Sequence, residues 1–243
     1  CAMPPPSSGG VHLIEILNII GDTDLREWGR ESADTLHFLA EAMRIAYADR
    51  AVHLGDPDFV EVPVRELTSR EYAVRRRGEI ELERARSSAE VRAATAEELG
   101  SLGRESEDTT HLTVVDGDGL VVSLTYTVNG YFGAAVVAAG TGILLNNEMD
   151  DFAAAPDSPN LYGLVGGDAN AVAPGKTPLS SMTPTIVTRD GELVLAAGSP
   201  GGSRIITTVL QVLLNVVEFD MDPGEAVSAP RIHHQRSPDR LFV

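Results

Sequence analysis

Cysteine is nearly absent from this sequence, in which Cys1 is the only example among 243 residues. A single cysteine excludes an internal disulfide and any metal site built from several cysteines. The six histidines show no metal-ligand spacing on a recognisable helix, and the adjacent His233 and His234 point in different directions in regular structure. We therefore expect the protein to bind no metal ion.

Long apolar runs and positive charge are also scarce. No run of about eighteen apolar residues occurs, so the sequence predicts no membrane-spanning helix. With 19 Lys and Arg against 36 Asp and Glu, the net charge of -17 argues against nucleic acid or an anionic membrane as a partner. Small zwitterionic substrates are compatible with this charge.

The hydrophobic residues, 43% of the chain, suffice for one sizeable core. The first half of the chain has helical periodicity, which predicts a buried helix over residues 11–20 and a helix over residues 34–49 with its charges on one side. The residues 67–104, rich in Arg and Glu, predict a solvated helix. Because no repeat or independent linker is evident, we treat residues 1–243 as one domain.

After Thr109 the hydrophobic period changes from helical to alternating. An α+β class follows, because helices come first, then strands, then a helix that leaves the sheet. A long loop over residues 152–168 is typical of a lid. Strands are predicted over residues 112–115, 121–128, 136–138, 185–187 and 193–197, with Asp-Gly turns at residues 116–119 and 190–191 and an apolar helix over residues 203–217.

Thr109 stands where a charged segment gives way to a strand. The preceding residues 97–108 are acidic and suggest an exposed segment, so cleavage of the Asp108-Thr109 bond would expose a new α-amine beside a hydroxyl. Such a residue carries both a nucleophile and a base. The alternative interpretation is that Thr109 and Thr110 simply begin a strand.

Five motifs occur in an order that resembles the gamma-glutamyltranspeptidase family. The resemblance extends from Met3 to Gln235 and thus covers nearly the whole chain. The motifs are MPPPSSGG at residues 3–10, TTH at 109–111, GILLNNEMDDF at 142–152, PLSSM at 178–182 and GSPGGSR at 198–204.

The resemblance implies the four-layer αββα sandwich of N-terminal-nucleophile hydrolases. Residues 1–108 would then be the end of a large subunit, and residues 109–243 a truncated small subunit, separated by autocatalytic cleavage between Asp108 and Thr109. Family segments are missing at both ends, so we expect an incomplete fold that stays uncleaved as it stands, with little activity and open sheet edges that favour self-association. Its partners would be the missing segments of its own precursor, and the family implies a periplasmic or secreted location.

The resemblance also assigns catalytic roles. Thr109 would attack the substrate carbonyl with its freed α-amine as base, and Thr127 would orient this nucleophile. Gly201 and Gly202 would donate backbone N–H groups to the oxyanion ahead of a helix N-terminus. Without the resemblance, Thr127 is an ordinary strand residue and the glycines form a plain turn. A phosphate cradle is disfavoured because the lysine of the phosphate-binding loop is absent.

The remaining site residues would recognise the two charges of a glutamyl group. Asn129, Glu148 and Asp151 match the family residues around the α-amine, and Tyr162 matches a lid residue that meets Asn129. Ser180 and Ser181 match the residues that hold the α-carboxylate. The carboxylate-binding arginine of the family lies in the missing region, and no arginine here is assigned to it. Taken alone, Glu148 and the serines would be ordinary loop residues.

The predicted activity is transfer of a γ-glutamyl group from glutathione or glutamine to an amino acid, a peptide or water, with no cofactor. A related acylase of the cephalosporin acylase or capsule-processing type is the nearest alternative, because it would share the nucleophile and differ in the pocket. A non-enzymatic alternative is an uncleaved fragment that acts only as a scaffold.

Overall fold

The computed structural model describes residues 1–91, 109–155 and 158–243. The structure combines helices and strands, as the α+β class predicts. The helices are α1 (Gly9–Ile20), α2 (Leu25–Trp28), α3 (Ala33–His53), α4 (Val64–Leu67), α5 (Arg70–Arg77), α6 (Ile205–Val217) and α7 (Pro223–Ser228), and the strands are β1 (Thr109–Val115), β2 (Val121–Thr127), β3 (Thr185–Arg189) and β4 (Glu192–Ala197).

The main core lies between α1, α3 and α6. Ile16 and Ile19 on α1, Met43 on α3 and Leu210 on α6 are buried together, which removes their apolar surface from water. The predicted helices over residues 11–20 and 203–217 are both confirmed, the second beginning with a 3-10 turn at Gly202–Arg204. Among the described residues, no helix combines the length and apolar character needed to cross a membrane.

The helix predicted over residues 34–49 with its charges on one side is confirmed within α3, but several of these charges are buried. Glu41 and Arg44 are buried and paired with each other, and Glu41 also accepts from Arg86 Nε at 2.8 Å. Asp49 is buried as well and accepts from Tyr72 Oη at 2.6 Å. Buried charges of this kind need partners, and here Arg44 comes from α3 itself, whereas Arg86 and Tyr72 come from later segments.

Within its described part, the predicted solvated helix over residues 67–104 is confirmed as a helix only over α5 and is wrong for residues 78–91. Helix α5 begins after Ser69, whose hydroxyl accepts from Tyr72 N, and ends at Arg77 before Gly78. Residues 78–91 form turns without a helix, and Arg86 is buried against Glu41. Residues 92–104 lie outside the described part of the chain.

Two antiparallel hairpins follow. The first pairs Thr109 with Thr127 at its open end, which places both threonines side by side. Its turn is closed by Asp116 Oδ1, which accepts from Asp118 N and Leu120 N. The predicted strand over residues 136–138 is wrong, because this segment makes a single bridge between Val137 and Leu144.

The second hairpin pairs β3 with β4 and has an irregularity between Val187 and Thr188. The hairpins meet where Ser123 Oγ donates to Ala197 O at 3.3 Å. Gly198 also lies close to the first hairpin, because a Cβ on Gly198 would lie 2.2 Å from the ring of His111. The close approach brings residues 198–204 alongside the open end of the first hairpin.

Candidate active site

One pocket lies at the open end of the first hairpin and gathers most of the predicted site residues. It is lined by Thr109, Thr127, Asn129, Asp151, Tyr162, Ser180, Ser181, Met182, Gly202 and Ile205. Of the other predicted residues, Glu148 contacts the pocket wall through Asp151, and Gly201 faces a neighbouring, larger cavity. Asp108, half of the predicted cleavage site, lies outside the described residues.

Thr109 and Thr127 form a hydrogen-bonded pair at the base of this pocket. Thr109 is buried, and its Oγ1 donates to Thr127 Oγ1 at 3.2 Å. Thr127 Oγ1 also accepts from the backbone N–H of Asn129 at 2.9 Å. Strand pairing therefore fixes where the Thr109 hydroxyl lies, and Thr127 limits its rotation.

Asn129 and Tyr162 meet above the threonines. Asn129 is buried in the left-handed region at φ 72°, which asparagine tolerates better than most residues. Tyr162 Oη lies 2.9 Å from Asn129 O and 2.5 Å from Asn129 Oδ1, so it can donate to both. Gln235 Nε2 donates to Tyr162 O at 3.0 Å and holds the tyrosine from behind. The long loop is thus fastened over the pocket at Tyr162.

Glu148 and Asp151 form an acid pair on one wall. Burial, the charge of Glu148 and a hydrogen bond between the two carboxyls raise the pKa of Asp151 to about 8. Burial likewise raises the pKa of Glu148. Two close carboxylates cannot both ionise cheaply, so without a cation beside it the pair holds a proton near neutral pH.

Ser180 and Ser181 also line the pocket, in a loop fastened to the start of the chain. Ser180 N donates to Pro6 O at 3.0 Å, and Met182 N donates to Ser180 Oγ at 3.0 Å. Gly9 permits this approach, because a Cβ there would lie 2.3 Å from Thr183 Oγ1. Each serine hydroxyl accepts a hydrogen bond from the protein, and its own hydrogen can be donated to a ligand.

Gly201 and Gly202 turn the backbone into the start of α6. Their φ angles of 125° and 52° favour glycine. A Cβ on Gly202 would lie 2.4 Å from Tyr162 Cδ1, so the tyrosine ring packs directly on this backbone. Tyr47 Oη donates to Ser203 O at 2.5 Å and fixes the following residue.

The sequence did not identify two residues near the pocket as part of the site. Tyr47 and Arg50 both lie in α3, where helical spacing predicts only core or surface positions. Arg50 donates to Ser181 Oγ at 3.3 Å although it is 129 or more residues away from this loop along the chain. The only signal for Arg50 was its place in a run of apolar and small residues, which does not identify a partner.

The described residues contain no cluster of three or more His, Cys, Asp or Glu placed to hold a metal ion. The site is instead a pocket lined by a hydrogen-bonded hydroxyl pair, by a carboxyl of an acid pair and by two serine hydroxyls. Such an arrangement can bind a small molecule that carries both an ammonium and a carboxylate near a carbonyl.

The whole chain is similar to known sequences. A sequence model described as gamma-glutamyltranspeptidase matches residues 1–243. A glutathione hydrolase proenzyme of Escherichia coli is 54% identical over 243 residues, which is 100% of this chain and 41% of the relative. The chain thus spans about two fifths of the length of that relative.

Solved structures agree with the sequence comparison. A mutant of the Helicobacter pylori gamma-glutamyltranspeptidase is 60% identical over 54% of this chain and 71% of its own, with a TM-score of 0.54. A cephalosporin acylase of Bacillus halodurans aligns over 96% of this chain and 38% of its own, with 27% identity and a TM-score of 0.74.

Proposed function

The chain belongs to the gamma-glutamyltranspeptidase family, and from this premise we propose that the full-length protein transfers or hydrolyses γ-glutamyl groups through an acyl-threonine intermediate at Thr109. One observation carries the proposal. The Thr109–Thr127 hydroxyl pair lines the same pocket as Asp151, which is paired with Glu148, and as Ser180 and Ser181.

Thr109 becomes the nucleophile after cleavage of the Asp108-Thr109 bond. The freed α-amine takes the hydroxyl proton as the oxygen attacks the γ-carbonyl, and it returns a proton to the departing amine. The acyl-threonine ester is then opened by water or by the amine of an amino acid or peptide. Thr127 orients the nucleophile, and the backbone N–H groups of Gly201 and Gly202 stabilise the oxyanion.

The donor is recognised through its two charges. Its α-ammonium is placed against Asp151, Glu148 and Asn129, where a cation lets both acids ionise. Its α-carboxylate accepts from the hydroxyls of Ser180 and Ser181. Tyr162 closes the pocket over the donor. Glutathione and glutamine both present this γ-glutamyl end.

A related acylase is the second candidate, favoured by the structural similarity to a cephalosporin acylase. A glutaryl donor has no ammonium, so it would leave the acid pair without a cation. Desolvated carboxylates without a partner cost free energy, and the γ-glutamyl donor is therefore the better match to Glu148 and Asp151.

We further propose that the full-length protein has the four-layer αββα sandwich of N-terminal-nucleophile hydrolases. In this arrangement residues 1–108 end the large subunit and residues 109–243 belong to the small subunit. The two described hairpins would be parts of the larger sheets, completed by other segments of the same precursor.

The test uses the full-length protein and release of the aniline from a γ-glutamyl anilide. Thr109→Ala should abolish turnover because a methyl group cannot attack, and Thr110→Ala is the control because Thr110 is the exposed neighbour on the same strand. A glutaryl anilide is measured in parallel. Near-normal turnover by Thr109→Ala would refute the nucleophile, and activity on the glutaryl donor alone would favour the acylase.

A further inference from the structure

Arg50 is a buried arginine in the last turn of α3, and its guanidinium reaches the loop that carries the two serines. Its Nε donates to Ser8 Oγ at 3.2 Å, and its Nη2 donates to Leu179 O at 3.4 Å and Ser181 Oγ at 3.3 Å. Because a guanidinium is planar, these donors have fixed separations. The Arg50 side chain therefore fixes the position of the serine loop relative to the start of α1.

Ser8 extends this constraint to Ser180. Ser8 Oγ accepts from Arg50 and donates to Ser180 O at 2.9 Å, and Ser8 N donates to the same oxygen at 2.8 Å. Arg50 thus contacts residues 179 and 181 directly and residue 180 through Ser8. Hydrogen bonds in series polarise one another, so a Ser181 hydroxyl that accepts from a cation becomes a stronger donor toward the pocket.

The charge of Arg50 also acts on the pocket. Within residues 1–91, 109–155 and 158–243, no carboxylate lies within ion-pair distance of the guanidinium. Burial lowers the pKa of Arg50, and the charge of Asp151 opposes this lowering from beyond ion-pair distance. Burial and Glu148 raise the pKa of Asp151, whereas Arg50 opposes that rise. The other titratable groups that face this pair are His12 and Tyr47 beside Arg50, and Asp150 beside Asp151.

We propose that Arg50 is a positioning residue for the donor, which acts through Ser180 and Ser181 by directing both hydroxyls at the donor's α-carboxylate. Arg50 does not line the pocket, so it works through the serines. Its charge has a second effect, because it favours the ionised Asp151 that the donor's ammonium needs. The inference rests on the proposed function and adds a residue that lies outside the pocket and contacts its serine loop.

The experiment compares two anilides in the full-length protein. One carries the γ-glutamyl group. The other carries the 4-aminobutyryl group, which differs from γ-glutamyl only in lacking the α-carboxylate. Arg50→Met removes the donors and the charge. It should raise KM for the γ-glutamyl donor about 10- to 100-fold with kcat changed less than about threefold, as for loss of hydrogen bonds to a charged group. Its preference for the donor with a carboxylate should shrink by a similar factor.

Arg50→Lys separates geometry from charge. Lysine keeps the charge but cannot bridge Ser8 and Ser181, so KM should rise while the acid limb of the kcat/KM pH profile stays in place. In Arg50→Met the acid limb should move to higher pH, because the cation that favours ionised Asp151 is gone. Arg44→Lys is the matched control, since Arg44 is buried on the same helix and pairs with Glu41 outside the pocket.

The outcomes separate this inference from the proposed function. Equal losses of kcat/KM for both anilides, with an unmoved acid limb in Arg50→Met, would show a merely structural role and overturn the inference. If Arg50→Met does not fold, an unchanged preference between the two anilides in folded Arg50→Lys would overturn it as well. Failure of the unaltered protein to release aniline from the γ-glutamyl donor would instead refute the proposed function itself.

Discussion

Glu148 and Asp151 meet as two carboxyl groups at one wall of the pocket, and their shared burial decides how the site responds to pH. The pKa of Asp151 is raised to about 8 by burial first and by Glu148 second. Only the ionised form pairs with a donor's ammonium. In the proposed reaction, donor binding and proton release by this pair are therefore linked.

We predict that kcat/KM for a γ-glutamyl donor falls as pH drops below about 8, because the proton on the pair then competes with the donor. The fall should approach tenfold per pH unit. Asp151→Asn should lower kcat/KM by about 100-fold or more, as expected for loss of a buried charged partner, and should flatten this limb. Asp118→Asn at the exposed hairpin tip is the control. A pH limb unchanged in Asp151→Asn would contradict the assignment.

Individual site residues differed in how far the sequence could predict them. The strand pattern predicts the hairpin that sets Thr109 opposite Thr127, but the role of Thr127 came from the family resemblance. Ser180 and Asp151 lie in irregular segments and came from the family resemblance alone. Arg50 could not be predicted, because a helical pattern does not show which distant loop a buried side chain reaches.

At the scale of elements, the loop over residues 198–204 packs against Tyr162 of the long loop that we propose as a lid. Gly202 touches the ring of Tyr162, and Tyr162 in turn reaches Asn129 at the end of the first hairpin. Any side chain at Gly202 disturbs both the proposed oxyanion donors and the lid. In the proposed reaction, these two loops would therefore act as one unit around the reacting carbonyl.

We predict that Gly202→Val lowers kcat by two or more orders of magnitude, as expected when an oxyanion donor is displaced, with a smaller effect on KM. Valine fits poorly at φ 52° and would strike Tyr162. The control is Gly117→Val, because Gly117 has open space around it. Steady-state kinetics give the answer: a Gly202→Val enzyme with normal kcat and raised KM would refute the oxyanion role.

Elements with strong local patterns were predictable, and those that depend on distant partners were not. Helices α1 and α6 and both hairpins follow from apolar spacing and turn residues. The charges of α3 suggested a solvated side because nothing along the sequence shows that Glu41 meets Arg86. The same contact draws residues 78–91 against α3, where charge spacing had predicted a helix.

At the scale of the whole molecule, one face of the first hairpin exposes apolar side chains, including Leu112, Val114, Leu124 and Tyr126. An isolated two-stranded sheet is marginally stable in water. We propose that other segments of the longer protein cover this face and complete the sheets. Open edges of this kind also favour self-association when they are left uncovered.

The central claim is that Thr109 carries the γ-glutamyl group during turnover, and one measurement tests it directly. The full-length protein is mixed with a γ-glutamyl anilide, quenched in acid within one turnover, and digested for peptide mass mapping. The account predicts one γ-glutamyl group on a peptide whose first residue is Thr109. A γ-glutamyl group on any other residue, or turnover with no labelled peptide, would contradict it.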